Sequence, residues 1–105
     1  MTIRKAFLMH LNSGSEDEYV RRHSPIWEDL LAVLKSHGVN NYSIFHDKRT
    51  DQLFGYAEIE SEEKWRAIAE TEPCRRWWAY MKDLMPTNED SSPVSTDLTE
   101  VFHID

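Results

Sequence analysis

An α+β fold, one antiparallel sheet covered by helices, is predicted by three observations. Apolar periodicity alternates along the chain in the order β-α-β-β-α-β. The joints between segments carry the residues that cap helices and turn strands. The strand segments also place apolar side chains on both of their faces, whereas the two helical regions can cover only one face of a sheet.

The first strand runs from Ile3 to Leu11, with Ile3, Phe7, Met9 and Leu11 on one side. Asn12-Ser13-Gly14-Ser15 turns the chain, and Ser15 followed by Glu18 has the spacing of a capping box. A helix then extends towards His37-Gly38, where the glycine is a natural stop and His37 is placed to cap the carbonyl end. Pro25 interrupts it, and Ser24-Pro25 has the form of a second N-cap with a first-turn proline. A second strand is expected over Asn40 to Asp47, with Tyr42, Ile44 and His46 on one face and Ser43 and Phe45 on the other. Lys48 to Gln52 turns the chain, and Leu53 to Glu60 returns as a third strand. Ser61 caps a helix through Trp65, Ile68 and Ala69; Pro73 restarts it, and it ends near Met85-Pro86. A polar loop, Thr87 to Pro93, leads to a last strand from Leu98 to Ile104.

This order is that of the ferredoxin-like βαββαβ sandwich. Residues 1–105 are read as one such domain. Phe7 and Met9 oppose Ala6 and Leu8 across the first strand, and Phe54 and Tyr56 oppose Leu53 and Ala57 across the third. The sheet face turned away from the helices therefore needs cover. A second copy is the simplest cover for so short a chain, so a homodimer packed sheet to sheet, a dimeric α+β barrel, is expected.

Composition narrows the partners. Twelve Lys and Arg against nineteen Asp and Glu give a formal net charge of −7. Nucleic acid and anionic membrane surfaces both call for a basic face, so neither is expected as a partner. No apolar run has the length of a membrane span, and Met1 to Phe7 lacks the apolar core of a signal segment. The single cysteine, Cys74, has no partner for an internal disulfide, which points to a cytoplasmic location.

The candidate chemistry lies in aromatic residues and one histidine. Trp77 and Trp78 are adjacent, so on a helix they point about 100° apart, and one stripe does not bury both equally. Two readings stand: both rings pack the core, or one borders an open space where an indole face stacks on a sugar. His23 lies four residues after Tyr19, on the same helix face, at the break before Pro25. It either bonds a carbonyl freed at the kink or serves as an acid-base group near neutral pH. Glu58, on the same strand parity as Phe54 and Tyr56, is open as a general base or as an ion-pair partner at a dimer seam. Glu60, Glu62 and Glu63 read as solvated acids matching a helix dipole. His10, His46 and His103 could meet on one sheet face, but no metal-ligand spacing connects them, so no metal is expected. Phosphate-cradling glycine loops and nucleotide fingerprints are missing from the sequence.

Nearly the whole chain resembles a known family. The resemblance rests on Ile3-Arg4-Lys5-Ala6-Phe7, Arg21-Arg22-His23-Ser24-Pro25-Ile26-Trp27 after Tyr19, Leu34-Lys35-Ser36-His37-Gly38, Asn41-Tyr42, Glu58 to Glu63, Arg76-Trp77-Trp78 and Ser91-Ser92-Pro93-Val94-Ser95. These segments are similar to those of the L-rhamnose mutarotases. The resemblance implies cofactor-free interconversion of the α and β anomers of L-rhamnose, or a related deoxy sugar, in rhamnose catabolism. It implies that His23 is the proton donor and that Tyr19, Tyr42, Trp77 and Trp78 contact the sugar.

Such a reaction suits these residue types. Ring opening brings a proton to the ring oxygen and takes one from the anomeric hydroxyl, which needs no metal or redox group. An indole wall against the C6 methyl would disfavour a hexose by about 1–3 kcal/mol, the cost of burying an unpartnered hydroxyl. Two rivals fit the same fold class: a cofactor-free monooxygenase of the dimeric α+β barrel type, and a sugar-binding module without catalysis.

Overall fold

The computed structural model describes residues 2–105; Met1, the first residue of the N-terminal stretch read above, lies outside them. Strands β1 (Ile3–His10), β2 (Asn40–Asp47), β3 (Gln52–Ile59) and β4 (Thr96–Leu98) form one antiparallel sheet in the order β2-β3-β1-β4. Helices α1 (Glu16–Arg22) and α2 (Glu28–Ser36) fill the first connection between β1 and β2. Helix α3 (Glu62–Ala67), a 3₁₀ turn at Ile68–Glu70 and α4 (Glu72–Met81) fill the second, between β3 and β4. The architecture is the expected ferredoxin-like α+β fold. Among the described residues, no helix is long and apolar enough to cross a membrane.

Strand parity decides what lies under the helices. Lys5, Phe7 and Met9 of β1 stand opposite Ala57, Gly55 and Leu53 of β3, and Ile44 and His46 of β2 stand opposite Gly55 and Leu53. Leu53 and Ile59 are almost completely buried, and Leu30, Ile68, Trp77 and Met81 pack down from the helices. Gly55 is required by a close approach: a Cβ there would lie 2.4 Å from the Phe7 ring. With that space kept open, Phe7 meets Tyr42 edge-on at 6.1 Å between centroids and Trp65 at 5.7 Å. The glycine in the middle of β3 thereby sets the aromatic support of Tyr42.

The opposite face carries Ala6, Leu8, Phe45, Phe54, Tyr56 and Leu98, and Phe45 is 66% exposed within one chain.

Boundaries and caps differ in places from those expected: α4 ends at Met81 and gives way to a turn, short of the expected end near Met85-Pro86. Ser15 is the N-cap of α1, but its side chain makes no capping bond. The Glu18 carboxylate bonds Arg21 and Arg22 instead, and such charge-assisted bonds outweigh one neutral cap. Helix α2 starts at Glu28 with Trp27 as N-cap, three residues beyond the Ser24-Pro25 restart, because residues 23–25 form a separate turn and 26–27 have no regular structure. The last strand spans only Thr96–Leu98, and 99–105 have no regular structure. Its apolar residues Val101, Phe102 and Ile104 are 78–93% exposed, so nothing within the chain buries the pattern that suggested a strand. Other signals hold: Ser61 accepts a bond from the Lys64 amide at 3.1 Å, Gly38 takes a left-handed φ of 79° after α2, and His37 Nδ1 bonds the Val33 carbonyl at 2.8 Å.

Candidate active site

A cavity of about 1080 Å³ lies between the inner sheet face and the helices. Its walls include Tyr19, His23, Tyr42, Trp77 and Trp78 together, so the fold brings all five expected residues to one space. A smaller chamber beside it is bordered by the same five, with Met9 and Ile44 from the sheet and Pro93 from the loop before β4.

His23 is the C-cap of α1. Its Nδ1 lies 2.8 Å from the Tyr19 carbonyl oxygen. A carbonyl only accepts, so the Nδ1 proton is committed there and a neutral ring presents the lone pair of Nε2. Burial pushes the imidazole pKa below its usual range, and the bond to the Tyr19 carbonyl opposes that only in part. The ring is therefore mainly neutral at pH 7, although a helix C-terminus by itself favours a cation. Both expectations for His23 meet in one geometry: the bond that tidies the helix end also selects the tautomer.

Aromatic rings fix the imidazole from two sides. Tyr19 packs on it at 4.3 Å between centroids, and Trp77 meets it edge-on at 5.1 Å. Trp77 is only 9% exposed and meets Trp27 edge-on at 5.1 Å as well. Trp78 is half-buried. The two indoles thus divide as their angular separation requires, one in the core and one on its margin.

The end of α1 is anchored by Arg22, which the sequence reading quoted only as part of a motif. Its guanidinium bonds Glu18 at 2.7 Å, the Tyr80 carbonyl at 2.7 Å, and both Asp83 oxygens at 2.9 and 3.1 Å. It also lies 4.5 Å above the Tyr80 ring. Arginine's planar fork suits such a multi-point clamp, and it fastens the turn bearing His23 to the end of α4. Glu18, bonded by Arg21 and Arg22, is held down to about 2 and stays ionised.

Tyr19 and Tyr42 supply two further polar groups. Neither hydroxyl has a hydrogen-bond partner among the described residues, yet no fully buried side-chain polar atom among them lacks one. Tyr19 is buried, so its unpartnered hydroxyl is reachable from the cavity, and Tyr42 is 37% exposed and lines the same cavity. Desolvation raises both phenol pKa values well above the usual tyrosine range, so both remain O–H groups able to donate and accept. Cys74, buried beside them, has its thiol pushed up to about 11 by burial and is not a thiolate nucleophile.

The other candidates disperse. Glu58 lies on the outer sheet face, accepting from Asn41 Nδ2 at 2.8 Å and from the Tyr56 hydroxyl at 3.1 Å, away from His23. His46 is on the inner face and lines the same cavity as His23, held 3.0 Å from Asp51 and 3.4 Å from Glu16. His10 is on the outer face opposite Gln52, and His103 pairs with Asp105, so the three histidines do not meet. Sequence reasoning missed Lys5, Trp65 and Asn88 on the cavity wall. The parity that placed Phe7 inside also placed Lys5 there. Its side chain is 11% exposed and held by Glu62 at 3.1 Å and Asp97 at 3.7 Å.

Fold and site together define an α+β protein whose aromatic-walled cavity sets the neutral His23 beside the hydroxyls of Tyr19 and Tyr42. Known proteins agree on a more particular description. The family model described as L-rhamnose mutarotase matches residues 4–104, and the chain belongs to that family. An L-rhamnose mutarotase of Opitutus terrae is 63% identical over 98% of this chain and 99% of its own. The crystal structure of an L-rhamnose mutarotase from Formosa agariphila superposes with a TM-score of 0.90 at 40% identity, covering 98% of this chain and 99% of that one. A putative antibiotic biosynthesis monooxygenase from Nitrosomonas europaea shares the fold alone, with a TM-score of 0.65 at 9% identity over 96% of this chain and 91% of that one.

Proposed function

We propose that this protein interconverts the α and β anomers of L-rhamnose, and that His23 moves the proton. The observation that carries the reading is the His23 tautomer: Nδ1–H is tied to the Tyr19 carbonyl, which leaves Nε2 of this cavity-lining residue as an acceptor. In the ring-closed sugar, O1–H and O5 are both attached to C1. Nε2 takes the O1 proton as the C1–O5 bond breaks, the electron pair of O1 forms the C1=O1 bond, and the imidazolium returns the proton to O5. Rotation about C1–C2 and the reverse sequence on the other carbonyl face give the second anomer. One histidine serves as base and then acid, so the reaction balances without a second carboxylate.

Tyr19 and Tyr42 orient the sugar hydroxyls through their phenol groups. Trp78, with Trp77 behind it, forms the apolar wall for the C6 methyl. Together these residues favour a deoxy sugar in the cavity beside His23. The monooxygenase reading finds support only in a shared fold, which hosts many chemistries.

The functional form is a homodimer, covered sheet to sheet. What supports this is the outer face bearing Leu8, Phe45, Phe54 and Leu98, continued by the exposed Val101, Phe102 and Ile104. An apolar area of that kind on a chain of this size marks an interface. Sedimentation is expected to give twice the mass of one chain, and Phe45→Asp to give a folded monomer; a monomeric parent protein would exclude the pairing. The domain works at neutral pH, as in cytoplasm, where His23 is neutral.

Proton NMR on L-rhamnose tests the function. Saturating one anomeric proton is expected to attenuate the other only when the protein is present. Broadening of the sugar signals without saturation transfer would identify a binding module instead.

A further inference from the structure

The polar loop before β4 lies on the cavity without a role in the proton transfer just described. Asn88, Ser92, Pro93 and Ser95 all line the cavity, and Pro93 also borders the chamber of His23. The loop is closed on itself. Thr87 bridges Pro93, the Asn88 amide donates to the Ser92 carbonyl at 2.8 Å, and the Val94 amide donates to the Pro86 carbonyl at 3.1 Å. Ser92 is held further by its amide bond to Asp90 at 3.0 Å, and Ser91 takes a left-handed φ of 71° at the tip. These bonds form a ready-made rim, so the groups it presents are positioned before any ligand arrives.

The orientation of the Asn88 amide follows from its partners. The Pro93 carbonyl, 3.5 Å away, only accepts. Ser92 Oγ, 3.0 Å away, gives its own hydrogen to Asp90 and therefore accepts here as well. Both contacts require Nδ2 on that side. The amide oxygen, Oδ1, then points away from them, and it has no donor among the described residues.

We propose that Asn88 is a specificity-determining residue of the sugar site: Oδ1 accepts a hydrogen bond from one ring hydroxyl in the large cavity that Asn88 shares with Trp77 and Trp78. The inference rests on the mutarotase reading and extends it to the hydroxyl pattern of the sugar. His23 and the indoles act on C1, O5 and the methyl group, so telling one 6-deoxyhexose from its epimers needs contacts to the ring hydroxyls, which Tyr19 and Tyr42 meet as part of the wall and the rim can meet as well. An acceptor fixed on a rigid rim supplies that distinction, because a sugar whose hydroxyl points elsewhere leaves the amide oxygen unpaired.

The test measures anomer exchange, as kcat/KM, for L-rhamnose and its 2-, 3- and 4-deoxy derivatives, in the parent protein, Asn88→Ala and Asn88→Asp. Asn88→Ala is expected to lose about tenfold on L-rhamnose, the size of one good hydrogen bond. On one deoxy derivative it is expected to match the parent, because the group it would read is already gone. Asn88→Asp keeps an acceptor oxygen while giving up the amide donors to Ser92 and Pro93. It is expected to retain most of the discrimination while unfolding at a lower temperature. An equal loss by Asn88→Ala on all four sugars, or an Asp variant as unselective as the Ala variant, would reduce Asn88 to a loop fastener and overturn the proposal. A parent protein without exchange on any of the sugars would instead overturn the function on which it rests.

Discussion

Replacing His23 with asparagine is expected to lower the rate of anomer exchange by about a hundredfold to ten-thousandfold while leaving the protein folded. Asparagine is chosen because its side-chain NH₂ lies near the place of Nδ1 and can still donate to the Tyr19 carbonyl, now 2.8 Å from the ring nitrogen. The helix end keeps its bond, and only the Nε2 lone pair is lost. Tyr19, the clamp at Arg22 and the edge of Trp77 remain, so sugar affinity should change little and the loss should fall on kcat. Saturation-transfer NMR with L-rhamnose checks both quantities. Exchange within a few-fold of the parent by a folded His23→Asn protein would remove His23 from the proton path.

The parent protein carries a matching pH signature. The folded-state imidazole titrates below its usual value because burial disfavours the cation. As pH falls through that lowered pKa, Nε2 becomes protonated and loses the lone pair that accepts from O1–H, so kcat/KM should fall on the acid side. The stability sign follows the same shift. Between the lowered folded value and the ordinary unfolded value of about 6.5, the unfolded chain binds more protons. This histidine's contribution is therefore fully present above the unfolded value and is lost as pH falls through that window. The acid limb of activity should disappear in His23→Asn, and the part of acid destabilisation owed to this ring should disappear with it.

How much of this was legible in the sequence depends on the range over which each signal acts. Strand parity is a local property, and it set Phe7 and Met9 against Leu8, and Leu53 and Ala57 against Phe54 and Glu58, as the register confirms, whereas which of the two faces the helices cover is set by packing. Parity also divided His46 from His10, which a search for nearby histidines overlooked. The Ser15 capping box failed for a different reason. A spacing of three residues describes Glu18 and Ser15 alone, whereas Glu18 had two arginines within reach on the next turn. The Ser24-Pro25 restart failed because residues 23–25 make their own turn and the helix begins only after Trp27.

For the site, residue type and a family resemblance singled out His23, Tyr19, Tyr42, Trp77 and Trp78, and folding brings them to one cavity. What the sequence withheld was orientation. That Nδ1 is spent on a carbonyl, that Gly55 leaves room for Phe7 beneath Tyr42, and that Asn88 turns its amide oxygen from its own loop are long-range or rotameric facts without a linear signature.

The tryptophan pair yields the prediction in which stability and function separate most sharply. Trp77→Ala is expected to destabilise the fold by about 3–5 kcal/mol, the range for removing a large buried aromatic side chain. Its ring is 9% exposed and meets His23, Trp27 and Tyr80 with centroids 5.1 to 5.7 Å away. Removing it opens a void between α2 and α4 and takes away the edge that keeps the imidazole in place. Trp78→Ala should be milder in urea, because that ring is only half-buried, and should appear chiefly as a raised KM for L-rhamnose through loss of the apolar wall. The adjacent residues would then report on different properties: one on the midpoint of unfolding, the other on sugar affinity at nearly constant kcat. The contrast follows from two side chains about 100° apart on one helix, since a helix packed against a sheet has room for only one of them in its core. Equal loss of stability from both substitutions, with KM unchanged in Trp78→Ala, would place both indoles in the core and leave the methyl group of the sugar without a wall.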